Sequence, residues 1–187
     1  MPKIVPPTPI TAIVYDEGRK INPLMRGIAD LLRGRGLPLV GFVQINRPRP
    51  GRSRCDMILE ELASGERVGI SQDRGEHARG CMLNVDELLR AASLAMRGLE
   101  RRPGLLVINK FGKTECEGGG FRSLIAEALG RDIPVLVAVP QHNTEAWQVF
   151  AGGLSSDHPI DDLPADIASA CGRLGLSAAM VAGANAE

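Results

Sequence analysis

Four uninterrupted apolar runs organise the chain: ITAIVY at residues 10–15, LVGFVQI at 39–45, LLVI at 105–108 and IPVLVAV at 133–139. A strand with one wet face alternates apolar and polar residues, so runs without alternation predict strands buried on both faces. Between them the spacing turns helical. Asn22 is placed to cap a helix with Pro23 at its first position, and Leu24, Met25, Ile28, Leu31 and Leu32 share one stripe before Gly34 and Gly36 end it. Asn84 with Glu87 three residues on has the form of a capping box ahead of Val85, Leu88, Leu89, Ala92, Ala95, Met96 and Leu99. Phe121, Leu124, Ile125, Ala128 and Leu129 predict a further helix, residues 144–150 a short one, and residues 163–174 a last one with Ile167, Cys171 and Leu174 on one face.

Strand, helix, strand within roughly 35 residues is a βαβ unit, which makes the sheet mostly parallel. One interruption is expected. Residues 56–62 and 67–71 are short apolar-containing runs separated by ASGE, whose Gly65 suits a tight turn, so an inserted β-hairpin is predicted there. Residues 46–54 (NRPRPGRSR) form an exposed basic loop running from Arg47 to Arg54, and residues 72–81 (QDRGEHARGC) a polar loop with no periodicity. Prolines fill residues 1–9, predicting a flexible arm, and the small residues of 177–187 predict a frayed tail. The fold class is therefore α/β, with a single domain over residues 10–176.

The 187 residues are enough for one core. Lys plus Arg and Asp plus Glu number 22 each, so no overall positive field exists to draw in nucleic acid. No apolar run reaches the roughly 18 residues of a bilayer span. Four cysteines without CxxC spacing and the lack of a signal-peptide pattern place the chain in the cytoplasm with reduced thiols.

In parallel sheets ligands bind beyond the carboxyl ends of the strands, where helix N-termini and backbone amides converge and favour anions. That rule singles out the loop at 109–120 (NKFGKTECEGGG). It carries Lys110, Lys113, Thr114, Glu115, Cys116 and Glu117, then Gly118, Gly119 and Gly120, which let backbone approach a ligand, then Arg122 at a helix start. With Arg74 and Arg79 these cations could hold a phosphate or another tetrahedral oxyanion, the guanidinium forks matching its oxygens. A solvated lid is the competing reading. Glu115 and Glu117 are open to two readings, a base or metal pair and a self-compensated loop. Cys55, Cys81 and Cys116, with His77, could meet as soft ligands for a thiophilic metal, or be small half-buried residues; Cys171 belongs to a core face. His142, beside Gln141 and Asn143, stands just past a strand end, where proton transfer and an ordinary turn role are both open, and Trp147 and Phe150 plug the sheet edge or line a shallow pocket.

A phosphate-wrapping P-loop needs GxxxxGK[ST] after the first strand, whereas this chain reads YDEGRKINPLM, with Asp16 and Glu17 where polyphosphate would sit. Gly112, Lys113 and Thr114 imitate the end of that motif, but Val107 occupies its leading glycine position.

The segments VGFVQ (residues 40–44), ISQDRGEHARGCMLN (70–84), LLVINKFGKTECEGGGFR (105–122) and IPVLVAVP (133–140) resemble an uncharacterised bacterial family of nucleoside-triphosphatase-like proteins, some encoded near molybdate-transport genes. More distantly the chain is similar to small P-loop nucleoside-triphosphatases. The resemblance implies a P-loop-NTPase-like three-layer sandwich. Where those enzymes carry an acidic pair at a strand end to hold magnesium, this chain has Asn109 and Lys110. Both electrostatic devices of phosphoryl transfer are missing. The expectation is a non-hydrolytic protein binding a nucleotide phosphate or an oxyanion such as molybdate, with a divergent hydrolase or phosphoryl transferase, and a thiolate metal-trafficking subunit, as alternatives. Its ligand is small and anionic; a homo-oligomer or protein partner is left open.

Overall fold

The computed structural model describes residues 8–48, 50, 55–72 and 83–176. The expectations for residues 1–7, for the tail at 177–187, for most of the basic loop, and for Arg74, His77, Arg79 and Cys81 lie outside the described residues.

Among the described residues the strands and α-helices follow in the order β1 (Ile10–Tyr15), α1 (Gly18–Gly34), β2 (Leu39–Arg47), β3 (Asp56–Glu61), β4 (Arg67–Gly69), α2 (Val85–Leu99), β5 (Leu105–Asn109), α3 (Lys113–Cys116), α4 (Arg122–Gly130), β6 (Val135–Pro140), α5 (Thr144–Ala151), β7 (Ser155–Pro159) and α6 (Ile167–Arg173). The strands form one sheet in the order β4-β3-β2-β5-β6-β1-β7. β2, β5, β6, β1 and β7 run parallel, while β3 and β4 are the antiparallel hairpin predicted at this point. The four apolar runs are the four central parallel strands, and their uninterrupted character follows from cover on both faces. Ile10, Ala12 and Val14 of β1 pack with α2, α4 and α5; Ile13 and Tyr15 pack with α1 and α6. The result is a three-layer α/β sandwich consistent with a P-loop-NTPase-like fold. Among the described residues no helix is long and apolar enough to cross a membrane.

Close approach of two strands sets one glycine. Gly41 of β2 has φ +101°, and a Cβ there would overlap the Val107 carbonyl oxygen of β5. Its amide donates to Glu61 Oε1 at 3.3 Å, and its carbonyl accepts from Leu62 N at 2.9 Å. Glu61 is buried yet satisfied, because its Oε2 also accepts from the amides of Ala63 and Ser64 at 3.0 and 2.7 Å, which pins the hairpin turn.

Several elements depart from the sequence expectation: β2 runs on to Arg47, and the short α3 lies inside the expected loop at 109–120. α1 begins at Gly18 and carries Pro23 inside it, instead of starting at an Asn22 cap. Ile21 and Met25, four residues apart, are both buried against the sheet, and seating Ile21 requires the turn before it to be helical already. Freed from capping, the Asn22 side chain serves the site described below. α6 is shorter than predicted, starting at Ile167 with Asp166 Oδ2 accepting from Ser169 N at 2.7 Å, since Pro164 stands within the expected span and Leu163 is extended. β7 was not expected at all: SSDHP has no apolar pattern. It pairs through backbone with β1, Ile10 opposite Ser155, and Asp157 fixes it by accepting from the indole N–H of buried Trp147 at 3.2 Å and from Gln148 and Ser155.

An ion-pair group ties the hairpin to α1. Glu60 receives Arg26 at 2.7 Å and Arg67 at 2.9 Å. The Arg26 hydrogen bond, supported by Arg67, holds the Glu60 carboxyl below the usual carboxylate range against the opposing effect of burial. A depressed native pKa means that this stabilisation is present above the unfolded-state value of about 4.3 and fades as pH falls toward the native one. Glu60→Gln is expected to cost roughly 1–2 kcal/mol at neutral pH, and the gap between parent and variant should narrow below about pH 4. Urea unfolding across that range checks it, and a gap independent of pH would be the contrary result.

Candidate functional site

The carboxyl ends of β2, β5 and β6 open on a cavity of about 220 Å³ on the α2 side of the sheet. Its floor is apolar. Met57 and Leu59 come from β3, Ile70 follows β4, Leu88 comes from α2, and Phe121 precedes α4 with its ring stacked 5.4 Å from that of Phe42. The polar edge is made by Gln44, Asn109, Lys110, Gly112, Lys113 and Glu115, with His142 and Asn143 from the turn after β6.

The loop at 109–120 reaches this edge because it is anchored at both ends. Phe111 is buried, its amide donating to the Ala138 carbonyl of β6 at 2.9 Å and its carbonyl accepting from Asn143 Nδ2 at 3.0 Å. From there Glu115, only 3% exposed, closes the loop on itself: Oε2 accepts from Gly112 N at 2.8 Å and Oε1 from Phe121 N at 2.9 Å. Burial pushes the Glu115 carboxyl above the usual carboxylate range, opposed by these amides and by the charge of Lys110. Its neighbour Gly120 sits at φ +59°, and a Cβ there would overlap the Glu115 carboxylate. Gly118 and Gly119 spend their amides inside the loop, donating to the carbonyls of Glu115 and Thr114 at 3.1 and 2.9 Å. These two amides are turn bonds, not an open phosphate cradle.

The residues expected to bind are therefore divided. Lys110, Lys113 and Glu115 line the cavity, whereas Thr114, Gly118, Gly119, Gly120 and Arg122 do not. Arg122 lies over the Phe150 ring, 4.7 Å from its centroid, and donates to the Glu115 carbonyl at 3.4 Å, so it braces the loop from behind. Lys113 is 73% exposed and pairs with Glu117 at 3.6 Å. Arg74 and Arg79 lie outside the described residues.

Cys55 is exposed ahead of β3 and Cys116 is half-buried in α3, while Cys81 lies outside the described residues. Burial, with Glu115 beside it, pushes the Cys116 thiol up, away from the thiolate a metal would need. Among the described residues no group of three His, Cys, Asp or Glu could hold a metal ion. Cys171 is buried in the α1 and α6 core, and Trp147 packs edge-on against Phe111, with ring centroids 5.1 Å apart.

Sequence reasoning missed the amide group at the head of the cavity. Asn109, 1% exposed, donates Nδ2 to Asn22 Oδ1 at 3.0 Å, and its own Oδ1 is the buried side-chain polar atom without a protein partner among the described residues. Gln44 donates to Asn46 Oδ1 at 2.8 Å. The signal was a polar residue at the end of each apolar run.

Residues 10–166 match a family described as protein of unknown function (DUF2478). A molybdenum import ATP-binding protein, ModC 2 of Bradyrhizobium diazoefficiens, is 32% identical over 152 residues, which make up 81% of this chain and 17% of that protein. The chain thus spans a small part of that relative's length. No solved structure matches.

The clasp has a direct test. Gly120→Ala is expected to cost about 2–4 kcal/mol, combining left-handed backbone strain with displacement of Glu115. Gly118→Ala, where a Cβ meets nothing nearer than Arg122 at 3.9 Å, should cost only the strain, about 1–2 kcal/mol. Denaturant melts compare them, and equal losses would show that Glu115 does not need the space beside Gly120.

Proposed function

The chain belongs to this family of proteins of unknown function, and from that premise we propose that it is a cytoplasmic, non-hydrolytic binding protein for a nucleotide phosphate or an oxyanion such as molybdate, acting in molybdenum handling. The observation that carries the reading is the cavity at the strand ends with Lys110 and Lys113 on its edge. Two cations beside an amide-rich wall supply attraction for a small anion. The likeness to a molybdenum import ATP-binding protein supports both the nucleotide and the molybdenum elements.

Binding without turnover fits the carboxylates better than the hydrolase alternative. Glu115 is the one carboxylate lining the cavity among the described residues, and both its oxygens are engaged by backbone amides. A group so occupied is a poor holder of magnesium or of an attacking water. The link from β1 to α1 consists of Asp16 and Glu17 alone, too short to wrap a phosphate chain and of the wrong charge.

Thermal melting with ATP, GTP, phosphate, molybdate and tungstate checks the reading. A ligand at about a hundred times its Kd should raise Tm by roughly 5–10 °C. The shift should shrink with added salt, and shrink likewise in Lys110→Ala/Lys113→Ala and in Arg74→Ala/Lys113→Ala. Equal shifts in parent and variants would count against it, and magnesium-dependent release of phosphate abolished by Lys113→Ala would favour the hydrolase.

A further inference from the structure

Resting on that anion-binding reading, we propose that the ligand is a nucleotide that enters base first: the base fills the apolar cavity between α2 and the strand ends, and the phosphate stays outside at Lys110 and Lys113. Three observations bear on which anion could use this cavity. The walls contributed by Met57, Leu59, Ile70, Leu88 and Phe121 offer no hydrogen bond from a side chain, so a bare oxyanion inside would lose its hydration and gain little. An aromatic ring gains from burial against the same surface.

The second observation is the unpaired acceptor. Asn109 Oδ1 is buried without a donor among the described residues, and Asn109 is one of the residues that line the cavity. A buried acceptor left alone is costly, and a ligand N–H would satisfy it. Amino and ring N–H groups of nucleobases are such donors; the molybdate dianion carries only acceptors, and the phosphate dianion has a single O–H on a charged, strongly hydrated group. Asn22 holds the Asn109 amide in place from the other side at 3.0 Å, so the acceptor is positioned before the ligand arrives.

The third is size. About 220 Å³ falls below the roughly 300–1,000 Å³ of sites that enclose drug-sized ligands. A ring system fits within it, and sugar and phosphate must then project past the rim. The rim is where the lysines are. This orientation places the base at the β5 end of the sheet, which explains why the two-residue link after β1 need not wrap phosphate at all.

Titration calorimetry of the full chain with AMP, adenosine, ribose phosphate, inorganic phosphate and molybdate tests the proposal. AMP should bind, adenosine should bind more weakly, and ribose phosphate and the two inorganic anions should bind least. Met57→Trp, at the half-buried wall, should remove AMP and adenosine binding alike, with circular dichroism confirming the fold. Asn109→Leu should weaken both by about three- to tenfold. Lys110→Ala/Lys113→Ala should erase the advantage of AMP over adenosine. If AMP and ribose phosphate bind equally, or Met57→Trp leaves AMP affinity intact while the lysine variant abolishes it, the base is not in the cavity and only the anion reading survives. If molybdate or phosphate binds best and responds only to the lysines, the base-first proposal is likewise overturned. Binding by none of the five overturns both.

Discussion

A buried carboxylate is costly unless hydrogen bonds replace the water it gives up, and Glu115 meets that requirement with two backbone amides from opposite ends of its own loop, Gly112 and Phe121. Much else is arranged around this closure. It fixes where the chain turns, so that Phe121 enters α4 with its ring against Phe42 and over the cavity. It demands Gly120, because any side chain there would stand where the carboxylate stands. It also keeps Lys110 and Lys113 at the strand ends, since the loop that carries them is held by Phe111 on one side and by the clasp on the other. The glycines that suggest a pliable phosphate loop in the sequence turn out to be spacing around a fixed acid.

The central sheet was legible for a plain reason. β1, β2, β5 and β6 are covered on both faces, and a doubly covered strand has to be apolar throughout, which is a signal of composition alone. The hairpin followed from Gly65 at φ +74°, and the cap of α2 from Asn84, whose side chain accepts from the amides of Asp86 and Glu87. β7 left no such trace. Its stability comes from backbone pairing with β1 and from Asp157 receiving Trp147, partners that residue spacing does not announce. The early start of α1 was hidden likewise, because Asn22 and Pro23 make a convincing local start that burial of Ile21 overrides.

For the site, the loop could be found from sequence but not its inner side. Lys110 and Lys113 are among the residues that line the cavity, while Arg122, equally cationic in the sequence, lies over Phe150 and braces the loop. The apolar walls come from β3, from the segment after β4 and from α2, elements far apart in the chain that only the sheet order brings together. The pairing of Asn22 with Asn109 spans 87 positions and joins α1 to the end of β5. No local pattern could have supplied it.

These features together explain why the chemistry would sit at β5 and not at β1. A phosphate-first nucleotide site needs a long glycine loop after the first strand and an acid at a neighbouring strand end; here the link after β1 is Asp16 and Glu17 alone, and the end of β5 carries the amide of Asn109. Asp16 and Glu17 would repel a phosphate chain at the mouth of β1, whereas Lys110 and Lys113 attract one at the mouth of β5. An amide at the end of β5 also differs from an acid in what it offers a neighbour. A carboxylate at that position would attract a cation, whereas the buried amide oxygen of Asn109 is neutral and accepts from an N–H or O–H donor.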